Sequence, residues 1–127
     1  FRMEELMKIE VIKEEFSVCK VNDYQGINLT DKYCFIGKTD EECSLVCMTE
    51  NVPSFTIERE DGWKALRLQG ILDFSLVGVL AKIATILAEH NISIFAVSTY
   101  NTDYVFMKTS QFEKALTLLK ENDYIVE

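Results

Sequence analysis

The order of strand-like and helix-like segments in the second half is the feature that most constrains how this chain can fold. Residues 63–69 alternate apolar and polar side chains, as a half-buried strand does. A helical pattern follows, then a β-branched and apolar run, a short turn, another strand-like run and a second helical pattern. These segments cover residues 76–89, 92–99, 104–108 and 110–119, with a last short strand at 124–126. The order β-α-β-β-α-β predicts an α+β fold of the ferredoxin-like kind.

The first of these helices carries apolar residues on two faces. Such a helix must be covered on both sides, here by its own sheet and by either the first half of the chain or a second chain. Asn91 is predicted to end the helix in the left-handed conformation. The two stripes are Leu80, Ala84, Leu87 and Ala88, and Val79, Ile83 and Ile86.

Local signals indicate where both helices begin. Asp73 or Ser75 can cap the first helix, because their side-chain oxygens accept hydrogen bonds from free backbone N–H groups. Ser110 is followed three residues later by Glu113, the pattern of a capping box. We therefore expect the second helix to open at Ser110.

The first half of the chain is less regular. Residues 16–21, 33–37, 43–48 and 55–59 are strand-like, whereas no strong amphipathic helix is visible. Successive strands without good helices indicate a degenerate, strand-rich copy of the second unit. Pro53 and the mostly acidic residues 58–62 mark the predicted joint. We expect the degenerate unit over residues 8–61 and the complete βαββαβ unit over residues 62–127.

Charge and composition restrict the partners. The 127 residues include 13 Lys and Arg against 21 Asp and Glu, a formal net charge of −8. Nucleic acids and anionic membrane surfaces attract clustered cations, so the sequence predicts neither as a partner. No segment reads as a signal peptide, and no apolar run reaches the roughly 18 residues of a membrane helix. The expected location is therefore the cytoplasm.

The cysteines are expected to be packing residues. Cys19, Cys34, Cys43 and Cys47 lie in strand-like segments without a CxxC pair. In a chain without export signals, reduced buried thiols are expected rather than disulfides. The spacing of Cys43 and Cys47, with His90 far away, fits a zinc site poorly. Neither a metal nor another cofactor is predicted.

Several stretches of the chain resemble the ACT domain family. Residues 72–80 (LDFSLVGVL) and 90–94 (HNISI) are similar to the first loop and helix of that family and to the entry into its second strand. Residues 98–104 (STYNTDY) resemble small proteins with two ACT-like units, which are related to the CASTOR arginine sensors and to aspartokinase regulatory domains. Residues 42–47 (ECSLVC) are similar to a strand of their first unit. One departure is the wider spacing between Asp73 and Gly78 than many ACT domains have.

This resemblance implies a regulatory module that binds an amino acid and is not an enzyme. ACT domains typically hold such small molecules where two units meet and pass the occupancy on to a protein partner, which the sequence does not identify here. They commonly pair side by side, which implies a homodimer or two units within one chain. In the related arginine sensors, the position of Asp103 contacts the ligand.

Physical arguments point to the same residues. The predicted loop before the first helix suits a carboxylate, because free N–H groups and the positive end of the helix dipole lie there. Gly78 would let a ligand approach the backbone, and Asp103 can accept an ammonium or guanidinium group. The candidate ligand-binding residues are Asp73, Phe74, Ser75, Leu76, Val77 and Gly78 in the loop, and Tyr100, Asn101, Thr102 and Asp103 in the turn.

Two other functions stay open at this point. The chain can be an oligomeric protein-interaction module without a small ligand, whose two-sided helix serves self-association. An acylphosphatase-like enzyme is the other alternative, but it needs an Arg and an Asn around an anion-binding loop, and neither Arg59 nor Arg67 is so placed. Structural roles also account for Asp73 as a helix cap and for Asp103 as a turn former.

Overall fold

The structure is a computed structural model that describes residues 8–68 and 78–127. Seven strands, two α-helices and a short 3₁₀ helix (Thr49–Asn51) lie in these residues. The strands and α-helices are β1 (Lys8–Val21), β2 (Cys34–Lys38), β3 (Cys43–Met48), β4 (Glu58–Leu68), α1 (Val79–Ala88), β5 (Ile94–Ser98), β6 (Asp103–Lys108), α2 (Thr109–Glu121) and β7 (Ile125–Val126). From β4 onward the order is β-α-β-β-α-β, which confirms the predicted fold class.

The chain divides into two compact units. Residues 14–63 form the N-terminal unit, and residues 64–127 together with those before residue 14 form the C-terminal unit. Strands β1 and β4 each contribute residues to both units. Residues 8–13 therefore belong to the C-terminal unit, although the sequence analysis grouped them with the first half.

The C-terminal unit arranges its strands in the order β1-β4-β6-β5, and β7 pairs with β1 in parallel. Its hydrophobic core contains both helices. Ile83, Leu87 and Leu119 are fully buried there, together with Leu66 and Leu68 of β4. A sheet whose helices share one face buries the residues that alternate toward that face, and Val105 and Met107 of β6 follow this rule.

Much of the apolar surface of α1 packs within the C-terminal unit. Ile83, Ile86 and Leu87 are buried in its core, and the half-buried Val79 and Leu80 pack against the same core. In the first stripe, however, Ala84 is half-buried and Ala88 is exposed, so this stripe is only partly covered by the described residues.

The N-terminal unit has the strand order β2-β3-β1-β4. In the C-terminal unit, helix α1 follows β4 and helix α2 follows β6. In the N-terminal unit, the segments that follow β1 (residues 22–33) and β3 (residues 49–57) contain no α-helix. No α-helix lies in residues 14–63, all of which the structure describes. This confirms the predicted strand-rich first unit.

One prediction about β4 is wrong. Residues 55–59 were expected to form a separate strand, but β4 begins at Glu58, and Phe55 and Ile57 lie before it as exposed residues. The mostly acidic residues 58–62, expected to be a joint, do precede the boundary between the units at residues 63 and 64, but they form the first part of β4. A strand with solvated side chains tolerates charge, because its stability comes from backbone pairing with neighbouring strands.

The predicted capping box is also wrong, whereas the predicted end of the first helix is confirmed. Helix α2 begins at Thr109, with Lys108 at the N-cap and no side-chain capping bond, so Ser110 lies inside the first turn. Asn91 has φ = 61°, the left-handed conformation expected after α1. No helix in the described part of the chain is long and apolar enough to cross a membrane.

Candidate ligand-binding site

The β5–β6 turn is held by hydrogen bonds between two threonines. The Thr99 N–H donates to the Thr102 carbonyl (2.8 Å), and the Thr99 hydroxyl donates to the same oxygen (2.9 Å). The Thr102 N–H donates back to Thr99 Oγ1 (3.3 Å). Side-chain and backbone bonds therefore close the turn together, as expected for hydroxyl residues at a strand end.

Thr102 also joins this turn to β4. Its side chain is buried, and its hydroxyl donates to the carbonyl of Leu68 at 2.6 Å. Leu68 is the last residue of β4, so the turn and the end of β4 are fixed together. A buried hydroxyl needs such a partner, because an unsatisfied one is destabilising.

Asp103 is the first residue of β6 and pairs with Ser98 of β5. It lies on the same face of the sheet as Val105 and Met107, because strand residues alternate between faces. That is the face on which α1 and α2 pack. The Asp103 carboxylate is thus placed at the end of the sheet that adjoins the Thr99–Thr102 turn, where it is half-exposed.

Gly78 is the N-cap residue of α1. Its φ of 82° is left-handed, and no side-chain bond caps the helix. A Cβ added at Gly78 would meet no atom of the described residues within 4 Å, so those residues leave the backbone there open to a small molecule. The first-turn N–H groups and the helix dipole favour a negatively charged group at this end.

The other candidates fall into two groups. Tyr100 is 85% exposed, and Asn101 beside it is exposed too. Asp73, Phe74, Ser75, Leu76 and Val77 lie outside the described residues. The structure therefore brings together Thr99, Thr102 and Asp103 with the end of β4, and the ligand contacts of the candidate residues stay a prediction.

A charged cluster on the opposite face of β4 and β6 was not predicted. The Arg67 guanidinium donates twice to Glu10 Oε1, at 3.1 and 2.8 Å, and once to the Tyr104 hydroxyl at 3.1 Å. Both partners raise the pKa of Arg67, and the bond to Tyr104 has a larger effect than the bonds to Glu10. No local signal identifies a pair separated by 57 positions.

A second polar network lies in the N-terminal unit. Ser17 is fully buried, and its hydroxyl donates to Asp61 at 2.5 Å. Because that proton is used, the 2.9 Å bond between the Ser17 and Thr49 hydroxyls has Thr49 as donor. The bond from Ser17, with those from Arg59, holds the pKa of the Asp61 carboxyl below its usual value.

The two arginines considered for acylphosphatase-like chemistry are both engaged. Arg59 forms a two-pronged ion pair with Asp61, at 3.1 Å for each bond. Arg67 is held by Glu10 and Tyr104. A guanidinium fixed in this way is not presented to an anionic substrate.

The four cysteines are free thiols. Cys19 and Cys47 are buried, whereas Cys34 and Cys43 are half-buried. Burial raises the pKa of Cys47 to about 12, so this thiol stays protonated at neutral pH. Among the described residues, no group of His, Cys, Asp or Glu is arranged to hold a metal ion.

Comparison with solved structures supports the fold. A protein from Agrobacterium tumefaciens is 22% identical with a TM-score of 0.84, covering 96% of this chain and 92% of that one. A Vibrio cholerae protein of unknown function, described as a possible transport protein, is 26% identical with a TM-score of 0.69, covering 91% and 88%. The ligand-free regulatory subunit of aspartate kinase from Thermus thermophilus is 11% identical with a TM-score of 0.59, covering 91% and 97%.

Family comparison identifies the class of protein. Residues 58–121, half of the chain, match the ACT domain family. The chain therefore belongs to that family and is a regulatory ligand-binding module. No curated protein matches the chain.

Proposed function

We propose that this protein is a non-catalytic sensor that binds an amino acid at the β4 end of its C-terminal unit. The N-terminus of α1 would receive the carboxylate, and Asp103 the α-ammonium group. The observation that carries the proposal is the fixed β5–β6 turn, in which Thr99 and Thr102 hold Asp103 beside the end of β4. The ACT family membership and the likeness to an aspartate kinase regulatory subunit support it.

The charges at the two ends of this site match a zwitterion. The first turn of α1 contains no acidic residue, so nothing on it opposes a bound carboxylate. Asp103 supplies a single carboxylate for an ammonium group. A ligand held between these groups would shift the protein toward the liganded arrangement by no more than its difference in affinity for the two states.

The proposal also includes self-association into a homodimer. Strand β5 lies at the end of the strand order in the C-terminal unit, so one of its edges has no partner strand among the described residues. Such an edge can pair with another chain. Sedimentation equilibrium measures this directly, and a monomer at all concentrations would remove this part of the proposal. The cytoplasmic location stays a prediction.

The alternative of an interaction module without a ligand rested on a second apolar face of α1. Ile83, Ile86 and Leu87 are buried in the core of the C-terminal unit, which leaves only part of the first stripe, with Ala88 exposed, for self-association. The sensor is therefore the function that the site supports best.

Thermal unfolding in the presence of the protein amino acids and common nucleotides tests the proposal. A ligand present at about a hundred times its Kd stabilises the folded state by about 2.7 kcal/mol, or several degrees in Tm. The shift should disappear in Asp103→Ala and persist in Asp40→Ala, which changes an exposed Asp in the β2–β3 turn. A shift that survives in Asp103→Ala would place the ligand elsewhere, and a flat response to all compounds would favour the interaction module.

A further inference from the structure

The two hairpins of the chain have matching turns. Lys38 pairs with Cys43 across the β2–β3 turn as Ser98 pairs with Asp103 across the β5–β6 turn. The Thr39 N–H donates to the Glu42 carbonyl at 3.0 Å, just as the Thr99 N–H donates to the Thr102 carbonyl. The Glu42 N–H donates to the Thr39 hydroxyl at 3.3 Å, and the Thr102 N–H donates to the Thr99 hydroxyl at the same distance. Thr39 and Glu42 thus correspond to Thr99 and Thr102.

The two turns differ in the residue that closes them. Thr102 is buried and donates to the carbonyl of Leu68, which belongs to another strand. Glu42 is exposed, and its carboxylate accepts a bond from Ser44 within its own hairpin, at 3.2 Å. The side chain of Thr102 therefore bonds another strand, whereas the carboxylate of Glu42 accepts a bond from its own hairpin.

We propose that Thr102 is a positioning residue for the ligand site, acting without touching the ligand. Its hydroxyl proton is used on the Leu68 carbonyl, so the side chain fixes the turn rather than offering a donor to a ligand. Asp103 follows directly and pairs with Ser98, so its backbone begins where the turn and the end of β4 are fixed together. This inference rests on the proposed function, because it assigns Thr102 the task of pre-organising that site.

Pre-organisation has a measurable consequence for affinity. A carboxylate held in its binding position loses little conformational freedom when a ligand arrives, whereas one on a loose turn must be ordered first. Losing the Thr102–Leu68 bond should therefore weaken ligand binding even if the protein stays folded. A merely structural role would lower Tm and leave the Kd unchanged.

The test compares Thr102→Val, which keeps the shape but loses the donor, with Thr102→Ser, which keeps the hydroxyl. Thr39→Val is a control in the other hairpin, since it removes a turn hydroxyl that corresponds to that of Thr99 and lies away from the proposed site. Calorimetric titration uses the protein amino acids as probes, beginning with those that stabilise the wild-type protein. We expect the Kd to rise about tenfold or more in Thr102→Val and to change by less than about threefold in Thr102→Ser and Thr39→Val, as loss of a buried polar contact implies.

A second measurement needs no ligand. Hydrogen exchange at the Thr99 amide, which donates to the Thr102 carbonyl, reports whether the turn is held. We expect exchange at the Thr99 amide to be about tenfold faster in Thr102→Val, and exchange at the Thr39 amide in the other turn to be unchanged. If no amino acid binds the wild-type protein, the proposed function fails, and the exchange rate still decides whether Thr102 fixes the turn.

Two results would overturn the inference. One is wild-type affinity in a folded Thr102→Val protein, and the other is unchanged exchange at Thr99. If Thr102→Val does not fold, Thr99→Val replaces it, because Thr99 is exposed and its hydroxyl bonds both backbone groups of Thr102. Wild-type affinity in Thr99→Val would then count against a role for the fixed turn.

Discussion

Ile83 in α1 allows a quantitative test of how the C-terminal unit is held together. Its side chain is fully buried in the core formed by both helices and the sheet. Ile83→Ala removes three carbon atoms, each contributing about 0.8 kcal/mol through burial, or about 2.4 kcal/mol together. The cavity left behind adds about 24 cal/mol per Å³, which brings the expected loss to about 3–4 kcal/mol.

Urea denaturation followed by circular dichroism measures this loss as a difference in the free energy of unfolding. Thr85→Ala, on the exposed side of the same helix, is the control and should change that free energy by less than about 0.5 kcal/mol. Sedimentation of the folded variant should show the same association state as the wild-type protein, because Ile83 is covered within its own unit.

The reasoning would be refuted by a loss below about 1 kcal/mol, since buried Ile-to-Ala changes cost about 2–5 kcal/mol. It would equally be refuted if Ile83→Ala mainly weakened self-association. Either result would mean that this stripe of α1 is covered by something other than the core of the C-terminal unit.

Three further predictions concern polar groups and thiols. In a double-mutant cycle, Arg67→Lys and Glu10→Gln should be coupled by about 0.5–1 kcal/mol, because the two guanidinium bonds to Glu10 Oε1 are lost while both half-exposed groups stay hydrated. Because the pKa of Asp61 is lowered in the folded state, its contribution to stability is complete above its ordinary value of about 3.9 and is lost as pH falls through the lower folded pKa. Unfolding midpoints between neutral and acid pH should therefore fall less steeply in Asp61→Asn than in the wild-type protein, and equal slopes would contradict this. Iodoacetamide should label Cys43 before Cys47 in the folded protein, and mass spectrometry of the fragments would expose the opposite order.

Local periodicity explains which parts of the fold could be predicted. The apolar positions of α2, Phe112, Ala115 and Leu119, all point into the core, as their helical spacing indicates. The first half of β1 was missed, because most of residues 8–15 are charged. These residues form a strand through pairing with distant segments, such as Lys8 with Ile125, and single-sequence patterns do not report such pairing.

The candidate site was predictable to a similar degree. Asn, Asp and Thr in residues 99–103 indicated the turn and placed Asp103 at its end. The hydrogen bond from Thr102 to Leu68 was not predictable, because the two residues are 34 positions apart and meet only in the folded sheet. The predicted cap at Ser110 was wrong for another reason. Lys108 is the N-cap, so the serine lies within the first turn and not at the capping position.

The C-terminal unit combines two distant segments of the chain, and this affects the order in which the chain folds during synthesis on the ribosome. Residues 14–63 are contiguous and can assemble as soon as they emerge, whereas residues 8–13 must wait for partners as far along as Ile125 and Val126. At typical synthesis rates, the 112 positions from Lys13 to Ile125 take on the order of 6–22 s. During that interval Ile9 and Ile12 lack part of the core that buries Ile9 in the finished protein. The nascent chain therefore passes through a period in which these two isoleucines are open to chaperones and to other chains.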